Sequence, residues 1–352
     1  MGLLPCRAAA DWNLQDTVAQ FLRDNAAAPA AAVVVVRDGR VVDSAAAGFA
    51  DPKAGRPMTP DTPLRIASVT KTYVAATLLA VSARRDISLD TSIEQFLPQP
   101  YLAPLREAGY DTAAITLAHL LTHRAGLRQH THSLWYRLRS FALRWLQWRP
   151  LDTVQVMAGL GPPLAAPGAL YRYSDTGYVL LGQVLEHITG KPLHLAVRET
   201  LGLDALALDT TWWERFEAPP AGTPARAQQY FHGWPANGFD ASVDLYGGGG
   251  LIASAKDMAL FYDALFGGRV FADTALLRRM KSADNLPDPA GYRYGVLETE
   301  SPLGNYYSHS GSCGTEAMYF PQTRTAIAGV VTLNTARGGL TRLLLQSAQH
   351  YR

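Results

Sequence analysis

Cysteine and lysine are scarce in this 352-residue chain: two cysteines, Cys6 and Cys313, and five lysines against 27 arginines. Two cysteines cannot build a disulfide framework, and they do not fix a redox compartment. A surplus of charge is also lacking, since the formal net charge is +2, which leaves no broad case for a nucleic-acid partner. The arginine excess, accompanied by abundant alanine, reads as genome composition rather than function. No stretch of eighteen apolar residues occurs, so no transmembrane segment is expected. Internal repeats and low-complexity tracts are missing. There is no G-x-S-x-G and no repeated strand-helix alternation, which excludes a lipase-type α/β-hydrolase. What remains is a chain 48% hydrophobic and 18% charged, long enough to bury a large core and to divide into two lobes.

The stretch 65–85, RIASVTKTYVAATLLAVSARR, predicts one helix. From Val69 to Val81 it is apolar on nearly every side, which places it in the interior. Ser68 and Lys71 stand three residues apart at its start, on one face and within reach of each other. A serine hydroxyl becomes a strong nucleophile when a base takes its proton, and a lysine in apolar surroundings can lose its charge and serve. The free N–H groups of a helix start suit an oxyanion. With sixteen serines and five lysines in the chain, an S-x-x-K arises by accident in roughly one such sequence in five, so the motif requires partners.

Residues 11–24 carry Leu14, Val18, Phe21 and Leu22 at helical spacing and predict an amphipathic helix. Before them, 1–10 is a tail whose Ala8-Ala9-Ala10 suits a cleavage site, as the remnant of a trimmed leader would. Strands are expected at 31–37 and 40–47 around the turn Asp38-Gly39, followed by a loop at 48–63. The pattern is then helical for about two hundred residues, broken by prolines. Strand signals return at 292–297, 305–309, 315–320 and 326–333, and a helix at 339–351 closes the chain. The expected fold class is α/β of the α+β kind. One antiparallel sheet, built from both chain ends and flanked by helices, occupies 11–83 and 291–352, and an all-helical lobe is inserted at 84–290.

Three short boxes carry the chemistry: SVTK at 68–71, Tyr173-Ser174-Asp175, and His309-Ser310-Gly311. They resemble the active-site boxes of the class C β-lactamase-like serine hydrolases, whose penicillin-binding relatives carry S-x-x-K, S-D-N and K-T-G. The segments ITLAHLLTHRAGL at 115–127 and GGLIASAKDMALF at 249–261 resemble that family's connecting elements, in the right order. The resemblance covers nearly the whole chain from Asp11 onward. It implies a β-lactamase/transpeptidase-like fold, no cofactor, no metal, and a small-molecule or short-peptide substrate. With the trimmed leader it suggests a periplasmic or secreted protein. It further implies Ser68 as the acylated nucleophile, Lys71 accepting or holding its proton, Tyr173 as second proton carrier, and an oxyanion hole made by the backbone N–H groups of Ser68 and Ser312.

Two positions depart from that pattern. Asp175 stands where the family often has asparagine, and a carboxylate pointing at Lys71 favours the ammonium over the amine. The general base is therefore expected to be Tyr173, provided that Lys71 supplies the positive charge a phenolate needs. His309 replaces the lysine of K-T-G. With an ordinary pKa of about 6.5 it is mostly neutral at pH 7 and holds a substrate carboxylate less firmly. Gly311 is expected to let substrate lie against the strand. Cys313 reads as a buried filler rather than a nucleophile.

In the insert, 134–149 (LWYRLRSFALRWLQWR) packs five aromatic residues among four arginines. Three readings apply: an amphipathic helix covering the core, an aromatic lip of the active site, and a face that meets an anionic membrane surface. His130 and His132 near His123 suggest a metal, but carboxylate or cysteine ligands at suitable spacing are missing. The chain reads as a metal-independent serine hydrolase working through an acyl-enzyme on esters, small amides or D-amino-acid peptides, with a carboxylesterase favoured. A β-lactamase or D-alanyl-D-alanine carboxypeptidase is the rival within the family, and a non-catalytic penicillin-binding-like sensor or scaffold is the rival outside enzymology.

Overall fold

The run AAAVVVVR at Ala30–Arg37 has no polar face, and it forms an inner strand of a seven-stranded sheet, buried on both sides. In the computed structural model, which describes residues 12–282 and 291–351, this strand turns through Asp38 and Gly39, at φ of 50° and 76°, into Arg40–Asp51. It pairs on its other side with Thr325–Val331. Across the sheet the order is Arg56–Pro57, Arg40–Asp51, Ala30–Arg37, Thr325–Val331, Thr315–Phe320, Tyr306–Gly311 and Leu297–Thr299, with every pairing antiparallel. The sheet is thus built from both chain ends and flanked by helices, as expected. The tail at 1–10, with Cys6, lies outside the described residues.

Because side chains alternate along a strand, Val33 and Val35 face one layer while Val34 and Val36 face the other. The first layer is made by Leu14–Asp24 and Arg337–Ala348. Leu14, Val18 and Phe21 meet Leu340 and Leu344 there, and Asn13 caps the first helix by accepting from Asp16 N–H at 3.0 Å. The second layer contains Thr70–Arg84 and Ala255–Phe266, joined by the stacked rings of Tyr73 and Phe261, 3.5 Å between centroids. Every residue from Thr70 to Ser82 is buried. Thr72 Oγ1 bonds Tyr262 Oη and the Gly295 carbonyl, both at 2.9 Å, and Thr77 Oγ1 bonds Tyr73 O at 2.8 Å, whereas Tyr73 Oη and Ser82 Oγ are buried with no hydrogen-bond partner among the described residues.

Several boundaries differ from those expected. Residues 48–51 continue the second strand instead of starting a loop, because Phe49 N–H and Met58 N–H find strand-like acceptors in Pro29 O and Gly48 O. Residues 292–296 form a turn with one bridge, Tyr292 to Leu297, and the strand begins at Leu297. The helix expected from 65 begins at Thr70, after the strand Leu64–Arg65 and a 3-10 turn at Ala67–Val69. Within 84–290 the helices are joined by two short sheets, one of them Leu64–Arg65, Leu251–Ala253 and Trp212–Trp213. Strands of two or three residues are too short to show a period. No described helix is long and apolar enough to cross a membrane.

Candidate active site

Ser68 is presented by a backbone held from three sides. Leu64 and Arg65 pair with Ala253 and Ile252, Ile66 N–H donates to Leu251 O at 3.1 Å, and Thr315 Oγ1 donates to Ile66 O at 2.9 Å. The buried Arg65 adds Glu214, at 2.7 and 3.1 Å, and the carbonyls of Ala236 and Phe239, both at 2.8 Å. These contacts impose a left-handed conformation on Ala67, φ 46°, which costs an ordinary residue about 1 kcal/mol. The strain puts Ser68 in the first turn, where backbone N–H groups have no intrahelical acceptor.

Lys71, with no side-chain exposure, makes three bonds from one nitrogen: to Ser68 Oγ at 2.9 Å, to Asp175 Oδ1 at 2.6 Å and to the carbonyl of Gly248. Three acceptors match the three protons of an ammonium. Asp175 points at Lys71 as its charge suggests. It begins the helix Asp175–Thr189, where a carboxylate also meets the positive end of the dipole. Gln129 clasps it twice, donating from Nε2 to Oδ2 at 2.5 Å and accepting Asp175 N–H at 3.0 Å. Burial alone raises the Asp175 pKa, but Lys71, His130 and the bond from Gln129 outweigh it and hold the carboxyl at about 2.

Tyr173 is brought beside Ser68, near enough for Ser68 to ease the burial of its phenol, while Lys71 Nζ lies 5.1 Å from the ring centroid. The strand-like entry is fixed by Ser174, whose N–H donates to His123 Nδ1 at 3.2 Å and whose Oγ donates to Arg128 O at 2.7 Å. The electrostatics run against the expected phenolate. Burial first and the Asp175 carboxylate second push the Tyr173 pKa well above its ordinary value, and the neighbouring Ser68 offsets only part of this. The carboxylate that pairs Lys71 also repels charge on the phenol, so Tyr173 is a neutral hydroxyl.

His309 sits on Tyr306–Gly311, its ring 6.4 Å from that of Tyr173. Its Nδ1 lies 3.0 Å from Ser310 O, an acceptor only, and its Nε2 lies 3.0 Å from Tyr292 Oη. A neutral ring with the proton on Nδ1 satisfies both, with Tyr292 as donor. Burial, helped by Lys71, lowers the His309 pKa to about 3, so it carries no charge at pH 7. Gly311 is required for a reason other than substrate approach: a Cβ there would lie 2.3 Å from Ile66 O and 2.2 Å from Thr315 Oγ1. Its absence lets the strand close on the turn that carries Ser68. Ser312 follows at once and is exposed. Burial and Asp244 push the Cys313 thiol up to about 12, against a role as nucleophile.

Five contributors were not singled out from the sequence. Gly248 and Gly249 belong to a run of four glycines, 247–250, which signals close backbone approach. Gln129 and Tyr292 come from distant segments with no spacing to mark them. Asp244 lies over the glycine run, its carboxylate 2.4–2.5 Å from where a Cβ of residue 249 would be. No hydrogen bond to it is made among the described residues. Burial dominates and, with repulsion from Asp175, raises its pKa to about 7 against the pull of Lys71. No cluster of metal-ligating side chains occurs among the described residues.

Residues 14–349 match the Beta-lactamase family. The chain belongs to that family. It is a serine hydrolase of the β-lactamase kind, similar to "Esterase EstB" of Burkholderia gladioli, at 29% identity over 88% of this chain and 87% of that one. It is similar also to a D-aminopeptidase of Cereibacter sphaeroides, at 26% identity over 92% of this chain, although it spans only 60% of that protein. Among solved structures, a D-stereospecific amidohydrolase from Streptomyces sp. superimposes with a TM-score of 0.77 at 26% identity, covering 91% of this chain and 94% of that one. The family and its fold are those the three boxes suggested.

Proposed function

We propose that this chain is a carboxylesterase-type serine hydrolase in which Ser68 is acylated by neutral esters. The observation that carries the reading is the pairing of Ser68, Lys71 and Tyr173 with an uncharged His309. The similarity to an esterase over most of both chains supports it. Ser68 Oγ attacks the acyl carbon while Lys71, held charged between Asp175 and Gly248, stabilises negative charge growing on Oγ. Tyr173, neutral and beside Ser68, relays the proton: its oxygen takes the proton of Ser68 as its own passes to the leaving alkoxide oxygen. The acyl-enzyme is then hydrolysed by the reverse relay, with water losing a proton to Tyr173 and Ser68 regaining one. The N–H groups of Ser68 and Ser312 are assigned to the oxyanion.

A penicillin or peptide carboxylate finds no cation at His309 and meets Asp244 nearby, which disfavours the β-lactamase alternative. The same Asp244 favours a second reading, hydrolysis of D-amino-acid esters or amides, because a substrate ammonium group would pair with it; the similarity to a D-aminopeptidase points the same way. The test is a panel of a short-chain aryl ester, a D-amino-acid amide and a cephalosporin, run with wild type and Ser68→Ala. Ester turnover should exceed cephalosporin turnover by at least about tenfold, equivalent to about 1.4 kcal/mol, and Ser68→Ala should abolish both turnover and fluorophosphonate labelling. Cephalosporin cleavage without ester cleavage would overturn the reading, and labelling that survives Ser68→Ala would overturn the nucleophile.

A further inference from the structure

The aromatic segment of the insert does not cover the core. Its helix, Leu134–Ala142, is fastened by one face only: Tyr136 is buried and donates to Val243 O at 3.0 Å, and the buried Trp148 donates through Nε1 to Ser140 Oγ at 3.1 Å. The other face projects outward. Leu134, Leu138 and Phe141 follow one another along a helical stripe at 62%, 59% and 41% exposure, with Trp135 at 58% beside them and Trp145 at 62% in the turn that follows. Trp234, 57% exposed, stands edge-on to Phe141 at 5.2 Å and extends the patch. Large apolar side chains grouped in this way mark a docking surface.

The charge around the patch names the partner. No aspartate or glutamate occurs between Asp111 and Asp152, whereas Arg137, Arg139 and Arg144 lie within the segment. None of these three has a carboxylate at ion-pair distance among the described residues. Instead Arg139 lies 3.7 Å from the centroid of Trp148 and Arg144 lies 5.9 Å from that of Trp145, which leaves their positive charge available to an outside anion. A groove of about 770 Å³ adjoins the patch, bordered by Trp135, Arg139 and the Arg149–Asp152 ion pair. We propose that this face docks on an anionic lipid bilayer, with the rings and leucines entering the interface and the arginines meeting headgroup phosphates. A second copy of the chain fits less well, because a two-fold contact of this patch with itself would set arginine against arginine. The surface adjoins the cleft through Val243 and the segment carrying Gln129, so docking would bring Ser68 near the bilayer.

Vesicle flotation tests the proposal without any substrate, so its outcome is separate from that of the esterase reading. Wild type should bind vesicles of phosphatidylcholine with about 30% phosphatidylglycerol at least about tenfold more tightly than pure phosphatidylcholine, and lose most of that preference in about 0.5 M salt. The triple variant Trp135→Ser, Leu138→Ser, Trp145→Ser should weaken binding by at least about tenfold, and Arg137→Gln with Arg144→Gln should remove the preference for the anionic lipid. Both variants should melt as wild type does, which separates docking from folding. Absence of flotation, equal binding to both vesicle types, or full binding by the triple variant would overturn the proposal. So would sedimentation of wild type as a dimer that the triple variant dissociates, in the absence of vesicle binding.

Discussion

Replacing Asp175 by asparagine puts the central ion pair to a quantitative test. Its carboxyl is held at about 2 against an ordinary 3.8, a drop of roughly two units, and each unit is worth about 1.4 kcal/mol. The side chain is only 22% exposed, so solvent screening removes little of this. Asparagine resembles the protonated carboxyl in shape and charge, so the substitution should remove about 2 to 3 kcal/mol of stability at pH 7. Over 352 residues, with unfolding entropy of about 2.1 cal/mol/K per residue, that is a fall in Tm of roughly 3 to 4 °C.

The sign follows from linkage. A depressed folded-state pKa contributes stability that is fully present above the unfolded value, near 3.8, and is lost as the pH falls through about 2. The difference between wild type and Asp175→Asn should therefore shrink to about half at pH 3. Calorimetric melts of both proteins at pH 7, 5 and 3 are the assay. A deficit larger than about 5 kcal/mol at pH 7 would mean that stranding the buried Lys71 ammonium dominates. An unchanged Tm at pH 7, or a deficit as large at pH 3 as at pH 7, would refute the argument that Lys71 and Gln129 stabilise the ionised carboxylate.

Tyr173→Phe should lower kcat for the aryl ester by roughly 10² or more while leaving fold and Tm intact, because it removes the relay hydroxyl; near-wild-type turnover would return the proton to Lys71. His309→Lys should raise kcat/KM for carboxylate-bearing substrates relative to neutral esters by at least about tenfold, read from the ratio within one preparation. The Asp244 pKa, raised to about 7, leaves the group uncharged below that pH and anionic above it. Preference for an ammonium-bearing ester over its neutral isostere should accordingly grow as the pH rises through 7, and Asp244→Asn should flatten that profile. Since a raised acid pKa costs the folded state stability from about pH 3.8 up to 7, Asp244→Asn should also gain more in Tm at pH 8 than at pH 4.

The sheet and its central helix were legible because they depend on local pattern: a strand with no polar residue, a turn whose two residues tolerate positive φ, and a helix apolar on every side. The start of that helix was not legible. Nothing within 65–69 forbids helix, and the chain leaves it only because Leu64–Arg65 is claimed by Leu251–Ala253, some two hundred residues away. The same limit applies to the outer face of 134–148. Its spacing reads equally well as a core cover, and only the burial of Tyr136 and Trp148 on the inner side shows that the remaining rings point outward.

At the site, Ser68, Lys71, Tyr173 and His309 of the three boxes lie close together, and Asp175 points at Lys71, which is the condition on which the charge argument at that position depends. What that argument lacked was distance in the other direction. A carboxylate close enough to hold an ammonium is also close enough to repel a phenolate two residues before it in the chain, and the depth of the site strengthens both effects together. The pairing that keeps Lys71 charged therefore also keeps Tyr173 protonated, so neither group rests as a free base. A proton can still leave Ser68 if it enters a hydroxyl that releases another at the same moment, and a leaving alkoxide, far more basic than a carboxylate, is the acceptor that makes this release favourable. The departure from asparagine at 175 thus ties the choice of leaving group to the electrostatics of the resting site.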